Sequence, residues 1–351
     1  MKFFKFLFFL FFFFLILFVF LFFNLFRKTA YISYIDIPPT KGGYYLLNLE
    51  KNLYNLTKLD YFVLKLYIKY FYRNKTIKFG KYLVNTSLNP FEFIDYVYCS
   101  YPSLEKITIY PGDDIFKIAK VLDKKNICKE KEFLNFAFDK YFLKTLTGKD
   151  IFSFEGFIKP DTYTFSLYEN PKNIISYLFS YYEKKLFEFL NKHKKLKGYL
   201  NVTNETSIKE LDSNKFKKLY NLMKVASLLE KETSNYTEMY LISSVIYNRL
   251  KIHMPLQLDP TYFYEKKFEK YKKKLGIENK NISFNTYKIY GLPTTPISTF
   301  KLKTLLPAAF PKKTNYLFFV KKSKTSHAFS TSYKIHLENV KKYYRKKSFN
   351  P

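Results

Sequence analysis

Tryptophan is absent from this chain of 351 residues, which also holds only nine glycines, two cysteines and four histidines (His193, His253, His327 and His336). The two cysteines, Cys99 and Cys128, stand at a spacing that matches no metal or redox motif, and outside the cytoplasm they could equally pair or stay reduced. So few imidazoles leave little material for a histidine triad or a metal centre. The glycine-poor sequence contains no phosphate-cradling loop and no dinucleotide fingerprint, and neither G-x-S-x-G nor H-E-x-x-H occurs. Acidic residues are also scarce, 29 against 60 basic ones, for a formal charge of +31. Such a charge suits a polyanionic partner. The lysines, however, are spread along the whole chain with no zinc finger, bZIP or RRM pattern, and the wealth of Lys, Phe, Tyr, Asn and Ile is the usage an AT-rich genome imposes. No nucleic-acid partner, metal or cofactor is expected. Carboxylate chemistry is what the composition leaves open.

The first feature present is an unbroken apolar run from Phe6 to Phe23, preceded by Lys2 and Lys5 and followed by Arg27-Lys28. At about 1.5 Å per residue it covers about 27 Å, close to the hydrocarbon thickness of a bilayer. It is apolar on every face, which disfavours a core helix. No small-x-small cleavage site follows it, so a retained signal anchor is expected rather than a cleaved leader. The flanking charges nearly balance and do not orient it.

Beyond the anchor, residues 31 to about 103 read as a small α/β unit. A strand is expected over Tyr31–Ile37, a turn at Pro38-Pro39 and Gly42-Gly43, helices near Leu46–Leu56 and Tyr61–Phe71, and a strand at Phe79–Val84. Asn89-Pro90 opens a further helix with a cap and a proline at its first position. A similar strand-turn-helix start recurs from Glu105 to Leu122, where Asp113 and Asp114 suit a helix N-terminus and Ile115, Ile118, Ala119 and Leu122 share one face. Such a unit looks like a LysM-type wall-binding module, and a plain packing subdomain fits the same pattern. Residues 170–213 read as mainly helical and basic.

The stretch from Leu219 to Thr233, L-Y-N-L-M-K-V-A-S-L-L-E-K-E-T, carries the chemistry. Leu219, Leu222, Met223, Ala226 and Leu229 fall on one helical face, Glu230 lies within that face and Glu232 at its margin, while Lys231 points away. Two carboxylates are thus brought toward apolar surroundings at a helix end, where desolvation raises a carboxyl pKa toward the range of a general acid. Asn235 then caps a second helix that runs over Glu238–Ile252. Loops rich in amide, hydroxyl and phenol groups follow, suited to sugar hydroxyls and sugar faces.

V-A-S-L-L-E-K-E-T, V-I-Y-N-R-L-K-I-H-M-P-L-Q-L-D-P-T, N-T-Y-K-I-Y-G-L-P, Y-L-F-F-V and H-A-F-S resemble, in order, the blocks of the endolytic murein transglycosylase (YceG-like) family. Glu155-Gly156-Phe157-Ile158-Lys159-Pro160-Asp161-Thr162-Tyr163 is similar to that family's E-G-[aromatic]-x-x-P-D-T-Y block. The resemblance implies an α+β chain with a cytoplasmic tip and transmembrane anchor at 1–30, a membrane-proximal region with LysM-like subdomains at 31–149, and a mixed α/β catalytic domain at 150–351. It implies a lytic transglycosylase, a lyase that cuts the MurNAc-GlcNAc β-1,4 bond of nascent peptidoglycan strands and leaves 1,6-anhydro ends. Its partners would be glycan strands, the inner membrane through the N-terminal helix, and glycan-polymerising synthases. The family's catalytic glutamate falls on Glu232. Candidate substrate-binding residues are Glu155, Tyr163, Asn248, Gln257, Asp259, Thr261, Asn285, Tyr287 and His327. The chain departs from the family pattern at Lys159, Leu258 and Thr294-Thr295. A two-carboxylate muramidase, pairing Glu232 with Glu155 or Asp259, and a non-catalytic wall-binding scaffold are the alternatives.

Overall fold

In a computed structural model the chain is described over residues 2–30, 33–37, 46–47, 54, 56–78, 80–84, 87–277, 282–323 and 326–344. It is a mixed α/β fold with small two-stranded sheets. The described residues divide into two compact units: one holds residues 1–106, 125–127 and 164–169, the other 107–124, 128–163 and 170–351.

The first unit begins with α1 (Lys2–Phe26), β1 (Thr29–Ala30) and β2 (Ser33–Ile37), then α2 (Lys58–Phe71), β3 (Gly80–Val84), β4 (Ser87–Leu88) and α3 (Pro90–Cys99). Strands β1 and β4 pair antiparallel, as do β2 and β3 with Ser33 opposite Val84 and Ile37 opposite Gly80. Period-two alternation sends Tyr82 and Val84 inward beside Ile35 and Ile37, where they join Leu64, Phe93, Ile94 and Val97 in a continuous core. Both helix starts are reciprocal capping boxes: Thr57 with Asp60, and Asn89 with Glu92, the second preceding the expected Pro90. Asp95 accepts the hydroxyls of Tyr67 and Tyr72 at 2.8 and 2.6 Å, which ties α2 to α3. The turn expected at residues 38–43 and most of the helix expected at 46–56 lie outside the described residues. Among the described residues no helix is long and apolar enough to cross a membrane. The side chains of α1 from Phe4 to Phe20 are all exposed, Leu25 is buried and Phe26 is exposed, and the side chains of residues 21–24 lie outside the description.

Strand β5 (Leu104–Ile109) is followed by α4 (Ile115–Lys124), α5 (Glu130–Ala137) and α6 (Lys140–Thr147), and β5 pairs with β6 (Asp161–Ser166). The expected stripe of α4 is buried: Ile115, Phe116, Ile118, Ala119 and Leu122. The remainder of the second unit is α7 (Pro171–Lys192), α8 (Lys194–Tyr199), α9 (Ser213–Glu232), α10 (Tyr236–Lys251), α11 (Asp259–Lys272), a 3-10 turn at Leu302–Thr304, α12 (Leu305–Ala309), β7 (Phe318–Lys321), β8 (His327–Ser330) and α13 (Tyr333–Tyr344). Strands β7 and β8 form a hairpin ladder with Lys321 opposite His327. Helix α9 buries Leu219, Leu222, Met223, Val225, Ala226, Leu228 and Leu229, so the apolar face read from the sequence is its core face.

Candidate active site

Helix α9 stops at Glu232 because Thr233 turns extended, at φ −149° and ψ 145°. Asn235 then restarts the chain as α10, its side chain accepting the Thr237 N–H. Glu238 does not complete a capping box there; its carboxylate instead accepts the His327 N–H at 2.7 Å and meets His327 Nδ1 at 2.8 Å. His327 therefore holds the β8 strand onto α10.

The two glutamates at the end of α9 separate cleanly. Glu230 is almost wholly enclosed and accepts the Lys301 N–H at 3.2 Å and the Thr304 hydroxyl at 2.7 Å. Lys301 Nζ lies 3.5 Å from the same carboxylate. Those bonds fasten the segment that leads into α12. Glu232 is half-buried, with its carboxyl largely withdrawn from water. Burial of its carboxyl and the nearby Asp259 carboxylate push its pKa up to about 7, and the Lys321 ammonium only partly offsets them.

Asp259 opens α11, and its carboxylate accepts the Tyr287 hydroxyl at 2.6 Å. Burial and that bond push the Tyr287 phenol up to about 12, with the Glu232 charge adding and Arg249 opposing. Glu232, Asp259, Tyr287, Arg249 and Lys321 thus form one electrostatic group. Arg249 is buried: Nε donates to Leu317 O at 2.6 Å and Nη1 to Pro255 O and Leu256 O at 3.1 and 2.8 Å. One guanidinium thereby fixes β7 and the loop before α11.

A threonine pair aligns the Asp259 and Tyr287 loops. Thr261 and Thr286 hydroxyls lie 2.9 Å apart, Thr286 Oγ1 accepts the Leu258 N–H at 2.9 Å, and Thr286 O accepts the Gln257 N–H at 3.0 Å. Gln257 is exposed at a left-handed φ of 51°, a conformation unusual for a residue with a Cβ. Asn285 is buried and its side chain accepts the Tyr287 N–H at 3.0 Å. Glu265 accepts the Ser283 hydroxyl and the Phe284 and Asn285 N–H groups, each at 2.9 Å.

The other sequence candidates are held by protein partners. Asn248 donates to Thr314 O and Tyr316 O at 2.8 and 2.9 Å. Tyr163 is buried, donates to Lys159 O and packs its ring against Tyr177 and Tyr181 on α7. Glu155 is fully buried: Oε2 accepts the Ile115 N–H at 2.9 Å and the Tyr264 hydroxyl at 3.1 Å, while Oε1 has no partner among the described residues. Burial and the Asp114 charge push its carboxyl up to about 8 against those two donors and Lys231. Its neighbour Gly156 must be glycine, since φ is +87° and a Cβ would stand 2.5 Å from the Pro296 ring. Thr294 hydrogen-bonds the Ser283 carbonyl at 2.9 Å, so the departure at Thr294-Thr295 still closes its loop.

Sequence reasoning missed Lys321, whose ammonium acts on Glu232 from a strand far along the chain with no local motif to announce it.

Residues 46–342 match the YceG-like family. An endolytic murein transglycosylase of Bacillus subtilis (strain 168) is 31% identical over 252 residues, 69% of this chain and 66% of that protein, so the match spans just under two thirds of the relative's length. The crystal structure of a yceG-like protein from Listeria monocytogenes has the same fold at a TM-score of 0.50 and 21% identity, covering 88% of this chain and 99% of that one.

Proposed function

The chain belongs to the YceG-like family, and from that premise we propose that it is a membrane-anchored endolytic lytic transglycosylase of peptidoglycan with Glu232 as its single acid/base. The observation that carries the reading is a half-buried glutamate, at the end of a helix whose apolar face lies in the core, with its carboxyl raised to about 7. A group balanced near neutral pH can both donate and accept a proton. In the proposed reaction, protonated Glu232 donates to the glycosidic oxygen between MurNAc and GlcNAc as that bond breaks. The resulting carboxylate then takes the proton of the MurNAc C6 hydroxyl, whose oxygen closes on C1 to give the 1,6-anhydro ring. The proton count balances on one carboxylate, and no water is added.

Around it, the exposed Gln257, Asp259 and Tyr287 are the groups we assign to substrate contact. Asn285, Thr261, Asn248, His327 and Glu155 serve by holding the surrounding loops, helices and strands, and Tyr163 by holding β6 against α7. The name of the Bacillus subtilis relative supports endolytic cutting of murein. A muramidase that pairs Glu232 with Glu155 loses support because Glu155 is fully buried; one pairing Glu232 with Asp259 keeps some. Mass analysis of muropeptides released by the purified protein separates the two, since anhydro ends support the lyase and reducing ends the hydrolase.

The Phe6–Phe23 run is proposed to anchor the chain in the cytoplasmic membrane, with residues 31–351 outside and near the glycan polymerases that supply nascent strands. Protease added to spheroplasts should digest the C-terminal domain; its protection, with unsealed membranes as control, would overturn the topology. The β5–α4–α5 segment is proposed as a LysM-like glycan contact.

A further inference from the structure

Helix α2 in the first unit has two apolar faces, and the fold uses one. Asp60 and Leu64 are buried, and Tyr67 packs its ring on Phe91 of α3 at 4.9 Å. On the other side Leu59, Phe62, Leu66 and Tyr70 recur at intervals of three, four and four, the spacing of a single helical stripe. They are 50%, 55%, 47% and 83% exposed, and Phe71 at the end of the helix is 60% exposed. At 100° per residue the exposed residues Lys58, Lys65 and Lys69 share one edge of that stripe. A row of large apolar side chains facing water is unfavourable, and an apolar stripe bordered by lysines is the pattern of a helix lying in a membrane interface.

Its neighbour in the same unit indicates what covers it. Helix α1 packs on α2 and α3. The junction is at the C-terminal end of α1, where Leu25 is buried and the Phe26 and Phe91 rings lie 5.6 Å apart, whereas Phe4–Phe20 are exposed. Lys28 beyond it pairs with Glu92 at 3.0 Å. Helix α2, which carries the stripe, therefore packs beside the end of an almost wholly apolar helix.

We propose that α2 is an interfacial helix, with Leu59, Phe62, Leu66 and Tyr70 immersed at the surface of an anionic phospholipid bilayer and Lys58, Lys65 and Lys69 against its headgroup phosphates. The inference rests on the anchor reading, because α1 brings α2 to the bilayer. It would fix the first unit flat against the membrane rather than leave it on a swinging tether.

The lack of tryptophan makes the test clean. Full-length Phe62→Trp, and as a control Tyr141→Trp at an exposed position of the second unit, are reconstituted into vesicles of phosphatidylcholine and phosphatidylglycerol containing acyl-chain-brominated lipid. Both variants should float with the vesicles. Emission from Phe62→Trp should shift to the blue and be quenched several-fold, while that from Tyr141→Trp should be unchanged. A floating Phe62→Trp protein with unquenched emission overturns the proposal and leaves the anchor standing, since the stripe would then face water or a protein partner. Failure of either variant to float removes the anchor and the interfacial helix together. Adding Lys58→Glu, Lys65→Glu and Lys69→Glu to Phe62→Trp should restore most of the lost emission without preventing flotation; undiminished quenching overturns the role of anionic headgroups.

Discussion

Glu230 and Glu232 end the same helix two residues apart, yet Glu230 is enclosed by the Lys301 N–H and the Thr304 hydroxyl while Glu232 faces Asp259 and Lys321. Two residues turn a helix by about 200°, so side chains that are neighbours in sequence look in nearly opposite directions. One glutamate is consumed by packing, and the other is the one proposed as the acid/base.

Glu232→Gln should reduce formation of anhydro-muropeptides by about 10²–10⁴-fold, the usual contribution of a positioned acid/base. Gln keeps the volume and cannot exchange a proton near pH 7, so melting temperature and glycan binding should stay close to wild type. Near-normal turnover by the folded variant would defeat the mechanism.

Glu230→Gln should do the reverse. It weakens charge-assisted bonds to the segment leading into α12, at a cost of about 1 kcal/mol, and should lower the melting temperature with turnover largely retained. Selective loss of turnover in a stable Glu230→Gln protein would move the acid/base two residues upstream.

The pH dependence of kcat/KM should report Glu232. In the proposed reaction its protonated form donates first, so the rate should fall as pH rises through about 7. Asp259→Asn removes a carboxylate that raises this pKa, and the alkaline limb should move to lower pH; Lys321→Met removes an opposing charge and should move it upward. Limbs that stay in place in both variants would detach Glu232 from the profile.

Glu155 should govern stability rather than rate. Its folded-state pKa of about 8 lies above the ordinary 4.5, so its stabilising contribution is fully present below about 4.5 and is lost as pH rises through about 8. Urea denaturation of wild type should therefore show stability falling across that window, and Glu155→Gln should flatten the fall. An unchanged slope would mean that the carboxyl ionises freely where it stands.

Gly156→Ala should destabilise the protein by more than about 1 kcal/mol, because the backbone there is left-handed and the added methyl meets Pro296. A melting curve matching wild type would mean that this loop can yield.

The sequence by itself determined the elements that depend on local chemistry. The Asn89-Pro90 start is read from cap preferences, the α9 core face from its 3.6-residue period, and the resemblance to the family from ordered blocks that include E-K-E. What only the tertiary structure decided are the relations among distant segments. Nothing local states that Thr261 and Thr286 lock the Gln257 and Tyr287 loops together, or that the Lys321 charge acts on Glu232. The same holds for Glu155, which the pattern could place near substrate but which the fold seals beneath Ile115 and Tyr264. Periodicity records which face of an element avoids water; which charges then meet across that face depends on the packing of segments far apart in the chain.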